Sequence, residues 1–498
     1  MTEENRLLLI EDSPQRSRWD ALQAACPSLS NWGLNTLKAG LDGHVGTIVV
    51  EPRYICKDHR NLHSNFYSKK FKERSATCTR VHFFSNTGIT RGRLIFDLDA
   101  LQPHYIGYTV VRPVSERCLG RTVIDPYLIG RHKNDGFFLL RTGFKTHLGG
   151  PALTAHGYPY MSQDGEATVC AHTALWGLCR FLSERYSAYR EVYPYDLISM
   201  TTDTQGRLVP YHGMTYSDYS QILVGFGCHP EILPIKLRDT DPAPDAGRFQ
   251  QLCTYTESGF PVLASFAGHV VTIVGHTLDR ARTPQPDTDG LVDSSAYLKQ
   301  LIVVDDNFFP YQLLGDLGDP VNYGKAYQNS PYHLGSIRVA VCPLPEKVYL
   351  PASKARTIFM DALKAFLGNS ELALLLRDGL GEPLVIRILI ATSSSFKSRK
   401  LAKAFQGNQL TDPFAVKVAD LHLPHFVWLM EIAPRSHYLN GQCTGEIVLD
   451  ATANSMEEAL LYARIGPSFL LNRERVSVSN PPVCLKTFAQ YTHNLGEL

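Results

Sequence analysis

Apolar runs and alternations mark strands at Leu7–Ile10, Gly46–Val50, Arg80–Phe84, Gly92–Phe96 and Tyr105–Arg112, the last closed by Pro113. A helical stretch lies around Arg18 to Ala25. Farther on, Ala171, Ala174, Leu175, Leu178 and Leu182 recur at three- and four-residue spacings and predict a helix entered from a polar loop. Two strands follow, Gly259–Phe266 and Gly268–His276, and a third, Leu301–Val304, runs into Asp305-Asp306-Asn307. The polar stretch Arg280 to Ser295 reads as a surface loop near these strands. Prolines across Cys342–Pro351 predict a linker. Beyond it come a helix at Ala352–Leu367 and strands at Leu384–Ile390, His425–Ile432 and Glu446–Leu449. A chain of 498 residues exceeds one ordinary core. The pattern predicts an α+β protein in three parts, bounded at 1–150, 151–345 and 346–498.

Composition is that of a globular chain, 44% hydrophobic and 19% charged, which excludes wholesale disorder. Lys+Arg and Asp+Glu stand at 49 against 48, so no charge excess favours nucleic acid or an anionic membrane. The basic run Lys69-Lys70-Phe71-Lys72 reads as a solvated surface. The acidic start Met1-Thr2-Glu3-Glu4 lacks a secretory pattern, and no run reaches the roughly 20 apolar residues of a membrane span. The expectation is a cytoplasmic protein without membrane attachment, its eleven cysteines mostly free thiols.

The candidate chemistry begins at Gln163-Asp164-Gly165-Glu166-Ala167-Thr168-Val169-Cys170, which places Cys170 at the first turn of its helix. The N–H groups and positive dipole end of a helix favour a thiolate, and a nearby imidazolium adds to this. Gln163 precedes the thiol in the loop, where its amide can donate to an oxyanion beside the Cys170 N–H. His269 opens its strand and can shuttle a proton. Asp305 and Asp306 close the next strand, and either can orient the histidine. His276 is a second, lower-ranked base. Taken singly, each of these residues fits ordinary packing equally well: a buried cysteine, a strand-end histidine, a turn.

Their order resembles papain-like cysteine peptidases, and is most similar to the bacteriocin-leader-processing peptidases and relatives. Ala167–Leu175, Gly268–Gly275, Asp305–Pro310 and the unit running from Gly213-Met214-Thr215-Tyr216 through Ile222-Leu223 to Gly227 carry the resemblance, over about residues 150–345. It implies a papain-like core, with a Cys-bearing helix packed on an antiparallel sheet carrying His and Asp, here flanked by two α+β accessory domains. It also implies a peptidase or isopeptidase working through an acyl-thioester on a protein or peptide, without a cofactor. Two other readings use the same residues: an acyltransferase, transglutaminase-like or peptidyltransferase, and an inactive papain-like scaffold that binds partners through its flanking parts. Separately, Cys56, His59, Cys78 and His82 offer Cys-x-x-His and Cys-x-x-x-His spacings that could hold zinc. Surface and packing roles are the simpler reading of these four, and no metal is expected.

Overall fold

The computed structural model describes residues 6–130, 138–201, 213–236, 244–315, 331–406, 409–454, 456–471, 474–476 and 486–491. The acidic start Met1–Glu4 and the end at Leu498 lie outside them. The protein is mixed α+β. The chain forms two units and passes between them several times. Unit 1 comprises Met1–Ala243, Pro261–Gly275 and Gln300–Val341; unit 2 comprises Pro244–Phe260, His276–Lys299 and Cys342–Leu498. The boundary expected at 150 therefore falls inside unit 1. One hydrophobic core explains why: it joins Ile10, Leu37 and Phe83 from the amino-terminal part to Leu175, Trp176 and Val270 from the part that follows.

Unit 1 holds an antiparallel meander of Leu8–Ile10, Thr47–Tyr54, Cys78–Phe84, Tyr105–Val111 and Leu119–Ile124. A second sheet orders Gln312–Leu314, Leu298–Val304, His269–Leu278, Val262–Phe266, Val339–Pro345 and Cys228–Pro234. The helix Cys170–Arg185 buries Leu175, Trp176, Leu178, Phe181 and Leu182. Each such side chain contributes roughly 1.5–3 kcal/mol over an exposed one, so the helix is firmly seated.

Two sequence expectations fail in instructive ways. Gly92–Phe96 is not a strand but lies in the helix Arg91–Phe96, capped where Thr90 Oγ1 accepts from the Arg93 N–H at 3.3 Å. Its polar–apolar mixture suits either period, and the cap decides. Nor do the prolines after Cys342 break structure at once, because the strand Val339–Pro345 runs through them. Its pairing with Val262–Phe266 ends at Val341, before Pro343 would be asked for an N–H.

In unit 2 a sheet orders Leu291–Asp293, Leu384–Thr392, Phe426–Pro434, Gly445–Asp450, Leu460–Ile465, Ser468–Leu471 and Glu474–Val476. Its first pair is parallel and the others antiparallel. The stretch Arg280–Ser295, expected as surface loop, thus supplies a strand here, anchored by buried Leu291 and Val292. Two apolar residues are too few to show a period. Arg387 ties this unit together. Its Nε donates to Glu257 Oε1 at 2.6 Å, and one terminal nitrogen donates to Glu431 Oε2 at 2.8 Å and to the Tyr491 carbonyl at 2.7 Å. Burial opposes charge on Glu257, but Arg387 and His276 hold its carboxyl well below the usual carboxylate range. No helix among the described residues is long and apolar enough to cross a membrane.

Arg387→Ala would leave buried Glu431 without its arginine and Glu257 with His276 alone. A loss of about 3–5 kcal/mol is expected in urea-induced unfolding of unit 2. A loss under about 1 kcal/mol would contradict the network's role.

Candidate active site

The loop before the nucleophile is built on one carboxylate. Asp164 Oδ1 accepts the N–H groups of Glu166, Ala167 and Thr168 at 2.8, 2.8 and 2.9 Å. Asp164 N–H donates to Thr168 Oγ1 at 3.1 Å, and Gly165 sits at φ 72°, where a side chain would be strained. Tyr67 donates to the second oxygen of Asp164. Lys70 and Arg74 both pair with Glu166, so part of the basic run expected as solvated surface is bound to this loop.

Val169 caps the helix without a side-chain acceptor. The neighbouring His172 accepts from the Val169 N–H through Nδ1 at 3.3 Å. It does so as a neutral ring, because burial lowers its pKa to about 4. Thr173 Oγ1 donates back to the Cys170 carbonyl at 2.7 Å. The His172 and Thr173 N–H groups donate to the Val169 carbonyl at 3.0 and 3.3 Å, so in the first turn it is the Cys170 and Ala171 N–H groups that have no partner among the described residues. Trp176, one turn on, donates from Nε1 to Asp58 at 3.0 Å and fixes the helix to the amino-terminal part of unit 1. Of the ten described cysteines, Cys170 alone is not buried. Burial raises the thiols of Cys26 and Cys56 to about 11 and that of Cys228 to about 12. Cys179, inside the same helix, is likewise raised well above an ordinary thiol.

His269 is set by a tight turn. Phe266 pairs with His269 across Ala267-Gly268, and Gly268 takes φ 73°. The strand Leu298–Val304 delivers the acids beside it. His269 Nε2 donates to Asp305 Oδ1 at 2.9 Å, and the same oxygen accepts the Asn307 N–H at 2.9 Å. Burial works against a charged ring, yet hydrogen bonds and charges from Asp305 and Cys170 outweigh it and raise the His269 pKa to about 10. Tyr332 stacks on His269 with ring centres 5.3 Å apart, and on Phe266 at 4.5 Å. This shields the imidazole–carboxylate pair.

Asp306 turns elsewhere. Its Oδ1 lies 3.8 Å from His269 Nε2, its Oδ2 accepts the Gln163 N–H at 3.4 Å, and its carbonyl accepts from Tyr160 at 3.2 Å. Gln163 is thereby held beside Asp306 while its side-chain amide has no partner among the described residues. Burial, then the neighbouring Asp305 charge, push Asp306 up to about 6, against opposing help from His269 and the Gln163 N–H. A cavity of about 10 Å³ between Cys170, Thr173, Tyr160, Val270 and Asp306 has room for no more than one water.

The structure thus brings together Cys170, His269, Asp305, Asp306 and Gln163. His276 belongs to unit 2, where its Nε2 lies 2.5 Å from Glu257. The four zinc candidates do not converge. His59 Nε2 bonds the Ser75 carbonyl at 2.8 Å, and His82 Nδ1 bonds Tyr105 at 2.8 Å. Burial lowers both rings to about 4 and raises both Cys56 and Cys78. Sequence reasoning missed Asp164, Asp58 and Tyr332. Only Asp164 left a local sign, the Asp-Gly turn pair.

Because ionised Asp306 is disfavoured in the folded state, the native protein loses stability as pH rises through about 6. Asp306→Asn removes that cost. The variant should exceed the parent by of order 2 kcal/mol well above pH 6, and the two should converge below about pH 4. Urea midpoints across that range check this; a difference independent of pH would contradict it.

Comparison with protein-family models, curated proteins and solved structures finds no match for this chain, so the functional reading rests on the geometry of the site itself.

Proposed function

We propose that the protein is a cysteine hydrolase, a peptidase or isopeptidase with a papain-like arrangement of Cys170, His269 and Asp305. One observation carries the reading. His269 gives Nε2 to Asp305 at 2.9 Å, which leaves Nδ1 for a thiol placed at a helix start without a side-chain cap. In the reaction, Nδ1 takes the Cys170 proton and the thiolate attacks the acyl carbon. The Cys170 N–H and the uncommitted Gln163 amide hold the oxyanion. The imidazolium then protonates the leaving amine, and water, deprotonated by the same Nδ1, hydrolyses the thioester. Asp305 fixes the tautomer and stabilises the charged ring. These steps need no cofactor.

The one-water cavity beside Cys170 favours a substrate laid across the site, a polypeptide or an isopeptide-linked tail, over a small molecule sunk in a pocket. A reducing compartment such as the cytoplasm suits a chain whose ten described cysteines are all free.

A peptide library read by mass spectrometry tests the function. Wild type should release new termini. Cys170→Ala should abolish cleavage, His269→Ala should lower kcat/KM by about a thousandfold or more, and Asp305→Asn by about ten- to ten-thousandfold. Cleavage that survives Cys170→Ala would sink the proposal.

A further inference from the structure

The acids at the triad do more than one histidine requires. A single carboxylate oxygen, Asp305 Oδ1, orients the ring. Yet Asp305 Oδ2 and Asp306 Oδ1 are both buried and have no hydrogen-bond partner among the described residues. Buried carboxylate oxygens are ordinarily satisfied, and leaving one bare is costly. The bare Asp306 oxygen is the one turned toward His269, at 3.8 Å from Nε2. The Asp306 side chain is only 3% exposed, so bulk water does not satisfy it.

One ligand atom from each of His269, Asp305 and Asp306 falls within 4.8 Å of the others. Two of the separations are 2.9 and 3.8 Å. Atoms bound to one zinc-like ion at about 2.0–2.2 Å stand roughly 3–3.5 Å from each other, so small side-chain shifts suffice. One imidazole and two carboxylates form a nitrogen–oxygen set suited to a borderline divalent ion, and their two negative charges match it.

We propose that His269, Asp305 and Asp306 form a regulatory divalent-cation site of the zinc class, which switches the nucleophile off when it is filled. With Cys170 as thiolate the ring carries a proton on each nitrogen. The cation bonds Nε2 in place of the proton that Asp305 accepts, that proton passes by way of solvent to the Cys170 thiolate, and the now neutral ring keeps its other proton on Nδ1. A protonated Nδ1 cannot take the Cys170 proton again, so the thiol stays un-ionised. Chelation reverses the change, the Cys170 proton returning by way of solvent to Nε2. No oxidation or covalent change to the protein occurs. The inhibitory consequence rests on the hydrolase reading; the binding does not.

Zinc chloride is the probe, titrated calorimetrically into the full chain and followed in parallel by thermal shift. Wild type and Cys170→Ala should each bind one Zn²⁺ per chain with affinities within about threefold of each other, because the thiol is not a ligand. Asp306→Asn and His269→Gln should each weaken binding by about tenfold or more. Far-ultraviolet circular dichroism establishes that both variants are folded. Peptide cleavage by wild type should fall in step with occupancy and return on adding EDTA. Loss of binding in Cys170→Ala would reveal a thiolate site and overturn the proposal. Unchanged binding in both ligand variants, or no binding by wild type, would overturn it too. Zinc binding without any peptide cleavage would refute the hydrolase reading and leave the site standing; cleavage indifferent to zinc would do the reverse.

Discussion

The interaction on which the site depends is the hydrogen bond from His269 Nε2 to Asp305 Oδ1. Burying an imidazolium is costly, and only an adjacent, oriented carboxylate makes it stable. Here Asp305 is wholly buried and His269 nearly so, with side-chain exposures of 0% and 8%. The low-dielectric setting that penalises the charge also strengthens the pair. Asn307 holds the shared oxygen from the other side, and Tyr332 covers the ring. The bond fixes which ring nitrogen is spoken for, and so decides what the other can do for Cys170.

Cys170 is positioned from far along the chain. Asp164 gathers three backbone N–H groups into a tight loop and is itself held by Tyr67. Asp58 accepts from Trp176 in the nucleophile helix and from Arg121 at 2.7 Å. Residues 1–150 are therefore structural members of the site within unit 1. A helix start that forgoes a side-chain cap gives up about 1 kcal/mol, and here the N–H groups left without a partner among the described residues are those of Cys170 and Ala171.

Local signals in the sequence account for much of this. The helices read at Arg18–Ala25 and Ala352–Leu367 match the observed ones because a Ser17 cap begins the first, and Pro351 precedes an amphipathic run in the second. Cys170 and His269 were legible because a polar loop and a glycine turn put each at the start of its element. The choice between Asp305 and Asp306 was not legible. Both lie past the last strand residue, Val304, where alternation no longer says which way a side chain points, and a turn decides. Tyr67 and Asp58 reach their partners across 97 and 118 residues, beyond any local pattern. The division into units was hidden for the same reason, since it follows cores assembled from distant segments.

The proposed function requires an activated thiolate at Cys170, maintained by His269. Its most direct measurement is the pH dependence of iodoacetamide alkylation, with the modified cysteine mapped by mass spectrometry. Cys170 should be labelled first, at a rate already high below pH 7, and His269→Ala should move its reactivity up to the ordinary thiol range near pH 8.5. Equal labelling of several cysteines, or a Cys170 profile unchanged by His269→Ala, would contradict it.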